Sequence, residues 1–391
     1  MFPKFWSWSI AMSSPATTPV LLITHEYYPK RGGIATYAEE MALAAKQAGY
    51  QISVWASNRN GLLDRSPPYP LHPIPNIGSL GWTCRHATAT MMRTHRTEVE
   101  RSIVYLPEPG PIFTMMYAPL LFLPKPKALA LTLHGTEILR FASSPHRRFL
   151  FNRLLRRADR IGVVSNYNRE LLLEKFPATN PAKIKVVPGA LRHDFENPPD
   201  RKRDRLYSRV RIITVGRIHP RKGQHFVMEA LARLPENLRS QVEYQIVGPV
   251  VKGGLAYVEQ LRQTADDCGV PVEFVGEVED DELPQIYADA DIFAMTSIQS
   301  GISIEGFGLV YLEAAACGLP VVAHDTGGVA EAVRHDQSGI VIKPGDTEAL
   351  VSAFTRLLES PQLREEMANA GKARAKELSW RANVDAHFGE L

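Results

Sequence analysis

Glu305 and Glu313 stand eight residues apart in the stretch E-G-F-G-L-V-Y-L-E, with a Gly-aromatic-Gly turn directly after the first carboxylate. The pattern predicts a helix that begins near Phe307, runs to Cys317 and stops at Gly318, two residues before Pro320. The N–H groups of Phe307, Gly308 and Leu309 in its first turn would lack intrahelical partners. Gly306 and Gly308 permit close approach, so the turn is a cradle for an anion. Glu305 stands at the mouth of that cradle. Glu313 lies among apolar residues, where a carboxylate needs a partner. Taken singly, Glu305 also reads as an acid favoured by a helix start, and Glu313 as the partner of a structural arginine. A second cluster is G-R-I-H-P-R-K-G at 216–223, after the apolar run 211–215. Arg217 offers a planar fork and Lys222 a point charge, the pair a diphosphate needs. His134 follows the apolar run Ala128–Leu133. It is either a ligand-facing residue at the carboxyl end of a strand or a loop histidine satisfied by its neighbours.

Together these motifs resemble those of the retaining glycosyltransferases with the GT-B fold, in particular family 4. Glu305 to Glu313 is similar to that family's E-x7-E motif, 216–223 to its G-R-x4-K-G diphosphate loop, and H-G-T-E at 134–137 to its His-Gly-Thr-Asp/Glu stretch. The resemblance implies that Glu305 contacts the transferred sugar and Glu313 holds the ribose of the nucleotide. It implies that His134 faces the donor sugar, and that Arg217 and Lys222 bind the diphosphate. Gly32, Gly33, Gly216, Gly248, Val278, Gly306, Phe307, Gly308 and Leu309 would complete the donor site, with Tyr27, Tyr28 and Glu137 on the acceptor side.

The implied reaction transfers a hexosyl group from a nucleoside diphosphate sugar to the hydroxyl of a carbohydrate, lipid-linked or small-molecule acceptor, with retention at the anomeric carbon. Neither cofactor nor metal is expected. Two cations and a helix end can take the charge that develops on the leaving phosphate, and Asp266-Asp267 and Asp280-Asp281 are expected in helical surroundings away from the phosphate loops. Whether retention proceeds through a covalent carboxylate or by front-face attack stays open. A nucleotide-sugar epimerase or hydrolase on the same fold is the alternative. A catalytically dead binding module would be expected to have lost His134, Arg217, Lys222 or Glu305, and all four are present.

The elements that must position these residues follow an α/β pattern. Val20–Thr24, a loop with Gly32-Gly33, an amphipathic segment from Ile34 to Gln47 and the run Ile52–Ala56 read as strand, glycine turn, helix and strand, the opening of a doubly wound domain. No G-x-G-x-x-G is present, which argues against a nicotinamide site. Residues 58–85 read as one long loop and Asp280–Ala290 as a short helix. The chain of 391 residues is expected to comprise an extension at 1–19, a first Rossmann-like domain at 20–191, a linker at 192–209, a second such domain at 210–372, and a segment at 373–391 that crosses back to the first.

Three widely separated cysteines fit a reducing, cytoplasmic compartment. The net charge of +3 conceals an asymmetry: residues 1–190 carry 23 basic and 11 acidic side chains, net +12, and residues 191–391 carry 22 and 31, net −9. Six arginines between Pro145 and Arg160, interleaved with Phe149, Phe151, Leu154 and Leu155, read either as a basic amphipathic helix at the inner membrane face or as a solvated cover on the sheet. No nucleic-acid motif accompanies the basic half.

Overall fold

The computed structural model describes residues 18–28, 32–57, 66–75, 81–202, 209–251 and 253–391. Most of the expected N-terminal extension (1–17), parts of the expected loop (58–65 and 76–80) and 203–208 of the linker lie outside the described residues.

Two parallel sheets organise the chain. The first contains β1 (Val20–Thr24), β2 (Ile52–Ser57), β3 (Leu71–Ile74), β4 (Ile103–Leu106), β5 (Ala128–Leu133), β6 (Arg160–Val163) and β7 (Ile184–Val186), in the order β3-β2-β1-β4-β5-β6-β7. The second contains β8 (Val210–Val215), β9 (Val242–Val247), β10 (Val272–Gly276), β11 (Ile292–Met295), β12 (Val321–His324) and β13 (Gly339–Ile342), in the order β10-β9-β8-β11-β12-β13. Central strands such as β1, β4 and β5 are buried along their whole length, because helices cover both faces. Strand order reverses at β1 and at β8, so each sheet opens a crevice at the carboxyl ends of its strands there.

The structure corrects three expectations. The segment 58–85 is not one loop: it contains β3 and the start of helix Trp82–Thr94. Pro73 masks β3 in the sequence, yet β3 is an edge strand, where a missing N–H is tolerated. The basic helix ends at Arg157, and Arg160 belongs to β6. Leu150, Phe151, Leu154 and Leu155 are buried in the first core, which leaves Phe149 as the exposed aromatic of this helix. Asp280 and Asp281 lie not in a helix but in the turn between β10 and helix Leu283–Ala288.

Helix Pro361–Glu377 packs on helix Leu309–Ala316 of the second domain. The next helix, Trp380–Phe388, lies on the first sheet. Trp380 Nε1 donates to the Leu191 carbonyl at 2.8 Å, and the Asn383 amide donates to the Pro188 carbonyl at 2.5 Å. His387 Nδ1 lies 2.9 Å from the Asn383 carbonyl, which can only accept, so Nε2 accepts from the Thr132 hydroxyl at 2.7 Å. Burial pushes the His387 imidazole down to about 4, so this ring is neutral. A Cβ at position 162 would strike it at 2.5 Å, which is why β6 carries Gly162. A second tie between the domains is Glu331, whose carboxylate accepts the N–H groups of Asn166 at 2.8 Å and Tyr167 at 2.9 Å. These are free donors of the first turn of helix Asn166–Lys175.

Candidate active site

The loop after β8 holds the cations. Gly223 has φ +76°, and a Cβ there would lie 2.0 Å from the Thr296 carbonyl, so glycine lets the loop press onto the end of β11. The loop is pinned there by the Thr296 hydroxyl, which donates to the Gly223 carbonyl at 2.7 Å. This delivers Lys222 and Arg221 to Glu305. Oε2 of Glu305 accepts from Lys222 Nζ at 2.8 Å, from Arg221 Nη1 at 3.0 Å and from Ser297 Oγ at 3.2 Å. Oε1 has no protein donor among the described residues. The three ionic side chains are only 12–13% exposed. Burial works to raise the Glu305 carboxyl, but the charges and hydrogen bonds of Lys222 and Arg221 outweigh it and hold the group at about 2. Burial also lowers the Lys222 ammonium, against the pull of Glu305. Arg217 is exposed, and its guanidinium has no protein partner among the described residues.

The helix after Glu305 spans Leu309–Ala316, two residues later than expected, with Gly308 at its N-cap. Glu305 and Gly306 reach it through close backbone packing. A Cβ at Gly306 would lie 2.2 Å from the carbonyl oxygen of His134, so glycine here lets the two domains meet. His134 therefore faces the Glu305 loop across the cleft. Its Nε2 lies 2.8 Å from the Pro107 carbonyl, which fixes Nε2 as the donor and leaves Nδ1 for a ligand. Tyr37 packs edge-on against the ring at 5.1 Å. Gly248 follows β9, where a Cβ would lie 2.3 Å from the Gly216 carbonyl, and Val278 is half-buried in the loop after β10. Gly32 and Gly33 open helix Gly33–Gln47, and a Cβ at either would meet nothing within 4 Å.

Glu313 is buried on its helix, 4% exposed. Tyr287 donates to its Oε2 at 3.1 Å, and the Arg192 guanidinium lies 3.7 Å from Oε1. Burial pushes the Glu313 carboxyl up, opposed by Arg192 and by the tyrosine hydroxyl. Arg192 also meets Asp194 at 2.8 Å and Asp280 at 3.5 Å. One buried guanidinium thus serves three carboxylates, and the next residue, His193, reaches Glu40 of the first domain at 2.7 Å.

Residues 31–195 match the family profile of glycosyltransferase family 4, and residues 199–374 that of the glycosyl transferases group 1. The chain is a family 4 glycosyltransferase. It is 30% identical over 379 residues to the GDP-mannose-dependent alpha-(1-6)-phosphatidylinositol monomannoside mannosyltransferase of Mycobacterium tuberculosis, covering 90% of this chain and 92% of the relative. A Corynebacterium glutamicum mannosyltransferase that acts on monoacylated phosphatidylinositol monomannoside is 29% identical over 93% of this chain and 95% of its own length. Among solved structures, Anabaena HepE in complex with UDP and glucose superposes with a TM-score of 0.73 over 94% of this chain and 97% of its own, at 23% identity. The GT-B architecture of two facing Rossmann-like domains is therefore shared by this glycosyltransferase.

The acceptor-side residues expected from the sequence are placed as follows. Tyr27 is 5% exposed, and its hydroxyl lies 2.5 Å from that of Tyr69. Glu137 is 1% exposed, and its carboxylate accepts the backbone N–H of His134, which makes it a brace for the histidine loop. Tyr28 stays half-buried, its N–H donating to Glu39 at 2.9 Å. Arg221, Ser297 and Arg192 were missed. Arg221 adjoins Lys222 and was legible as a third cation on the loop, and Arg192 had no local signal.

Proposed function

We propose that this glycosyltransferase transfers a mannosyl group from GDP-mannose to a hydroxyl of a lipid-linked carbohydrate, with retention of anomeric configuration and without a metal. The single observation that carries the chemistry is the clasp of Lys222, Arg221 and Ser297 on one oxygen of Glu305. A carboxyl held at about 2 is too weak a base to remove a hydroxyl proton. Oε1 instead accepts a hydrogen bond from a hydroxyl of the transferred sugar. The bond from C1 to the β-phosphate oxygen breaks and a bond from C1 to the acceptor oxygen forms on the same face. The departing β-phosphate takes the acceptor proton. Lys222, Arg221, Arg217 and the N–H groups after Gly306 stabilise the charge on that phosphate. His134 Nδ1 accepts from the sugar across the cleft, and Glu313 accepts from the ribose diol. The relatives' printed donors support GDP-mannose, and their phosphatidylinositol mannoside acceptors support a lipid-linked hydroxyl.

No helix among the described residues is long and apolar enough to cross a membrane. A lipid acceptor then requires peripheral contact with the inner face, for which the exposed Arg148, Arg153 and Arg156 of helix Pro145–Arg157 supply positive charge. Incubation with GDP-mannose and a phosphatidylinositol mannoside extract tests the reading. An α-linked product by NMR, formed equally with EDTA present, supports it. A β-linked product or abolition by EDTA refutes retention or metal independence, and release of free mannose from donor alone favours a hydrolase.

A further inference from the structure

Among the described residues of the first domain, four large apolar side chains face solvent: Trp82, Leu120, Phe122 and Phe149, at 68%, 69%, 79% and 57% exposure. Leu120 and Phe122 occupy a tight turn in which Leu121 N donates to the Tyr117 carbonyl and Leu123 N to the Ala118 carbonyl, both at 3.0 Å. Phe122 adopts φ +50° there, a left-handed conformation that an aromatic residue takes only under constraint. The fold thus strains a backbone position in order to hold apolar side chains out in water, the kind of local cost that marks a functional element.

These side chains belong to one face. Arg93 donates to the Leu121 carbonyl at 3.2 Å. Trp82 lies eleven residues before Arg93 on helix Trp82–Thr94, about three turns and hence the same side. Tyr117, at the root of the turn, meets His146 of helix Pro145–Arg157 at 3.1 Å, one turn from Phe149. The elements that build the face, helix Trp82–Thr94, the turn at 117–123 and helix Pro145–Arg157, contain seven Lys or Arg and no Asp or Glu. A protein partner or a sugar polymer does not call for so uniform a sign around an apolar turn. A leaflet with acidic headgroups over hydrocarbon does.

We propose that this face rests on an anionic lipid leaflet, with Leu120 and Phe122 as the inserted wedge and the surrounding arginines on the headgroups. The proposal rests on the reading of this enzyme as a peripheral membrane protein, and it moves the apolar anchor from helix Pro145–Arg157 to the 117–123 turn.

The test is cosedimentation with vesicles of phosphatidylcholine alone and of phosphatidylcholine with one part in three phosphatidylglycerol, at low salt. The wild type is expected to bind the mixed vesicles and to be released from them by salt. Phe122→Gly relieves the left-handed strain while removing the wedge, so its melting temperature is expected to hold or rise while its partition falls about fivefold or more. Arg93→Glu is expected to weaken binding by at least a comparable factor, about fivefold per charge. Arg233→Glu, on the second domain, is expected to bind as the wild type does. If Phe122→Gly and Leu120→Ser bind like the wild type, the turn is not the anchor, although peripheral attachment survives. If Arg233→Glu weakens binding as much as Arg93→Glu, net charge rather than this face governs it, and the proposal falls. If the wild type ignores the mixed vesicles, the peripheral reading falls with it.

Discussion

Replacing Glu305 with Gln separates the structural from the chemical work of the clasp. In the wild type Lys222 and Arg221 share the Glu305 carboxylate in a pocket where all three are 12–13% exposed. The pull on that carboxyl from an ordinary 4.5 to about 2 corresponds to about 3 kcal/mol favouring the ionised, paired form after burial has been subtracted. A depressed carboxylate stabilises the fold above its unfolded pKa, and that contribution is lost as pH falls from 4.5 through about 2. At neutral pH Glu305→Gln therefore forfeits about 3 kcal/mol, in line with the cost of leaving a buried charge unpaired. Its Tm is expected to fall by about 2–4 °C per kcal/mol. The same change frees two cations for a phosphate that otherwise competes with Glu305. If half of the forfeited energy becomes available to the ligand, GDP binds about tenfold more tightly, and GDP restores more Tm to the variant than to the wild type. Turnover falls because Oε1 no longer accepts from the sugar. Calorimetric titration with GDP, alongside melting curves with and without it, reads all of this. A variant that binds GDP no more tightly than the wild type, or that melts at the same temperature, would refute the argument that Glu305 neutralises the diphosphate cations in the free enzyme.

Arg221→Gln and Lys222→Gln are each expected to weaken GDP binding by about 1.5–3 kcal/mol by calorimetry, the loss of a charged hydrogen-bond partner. Arg192→Gln is expected to raise the KM for the donor, and to raise it more steeply as pH is lowered. Burial already pushes the Glu313 carboxyl up, and Arg192 is the charge that opposes it. Hydrogen bonds from His193 to Asp194 and Glu40 raise its imidazole to about 10, so its stabilising effect is complete below 6.5 and lost as pH rises through about 10. Melting curves of His193→Gln should accordingly lie below the wild type at pH 6 and converge with it above pH 10.

The sheets were legible because parallel strands buried on both faces read as unbroken apolar runs, as in V-L-L-I-T at β1 and R-I-I-T-V at β8. The loop positions of Lys222 and His134 were legible because each follows such a run, and that of Glu305 because its spacing to Glu313 and the glycines after it marked a helix start. Arg192 was not, since its value comes from Asp280 and Glu313, far along the chain, and its own surroundings look like linker. Tyr27 lies on the loop after β1 and Glu137 in the first turn of helix Thr136–Ala142, and only the fold shows their polar atoms engaged with Tyr69 and with the His134 backbone. The arginines after Pro145 were visible, but not that their apolar neighbours point into the core.

Helix Trp380–Phe388 gives the molecule an order of events during its synthesis. Its His387 bonds to Thr132 and its Phe388 packs on Tyr50 and Tyr105, so the core of the first domain contains side chains made after the second domain. Until residue 388 is added, the first sheet lacks the helix that packs on Thr132 and Tyr105. Domains ordinarily fold as units in the order they emerge. Here the second domain has all its strands and can close first, and the earlier domain finishes last. The growing chain must shelter an open apolar face through that interval. Any nascent chain that stalls before Trp380 is left with a finished second domain tethered to an unfinished first.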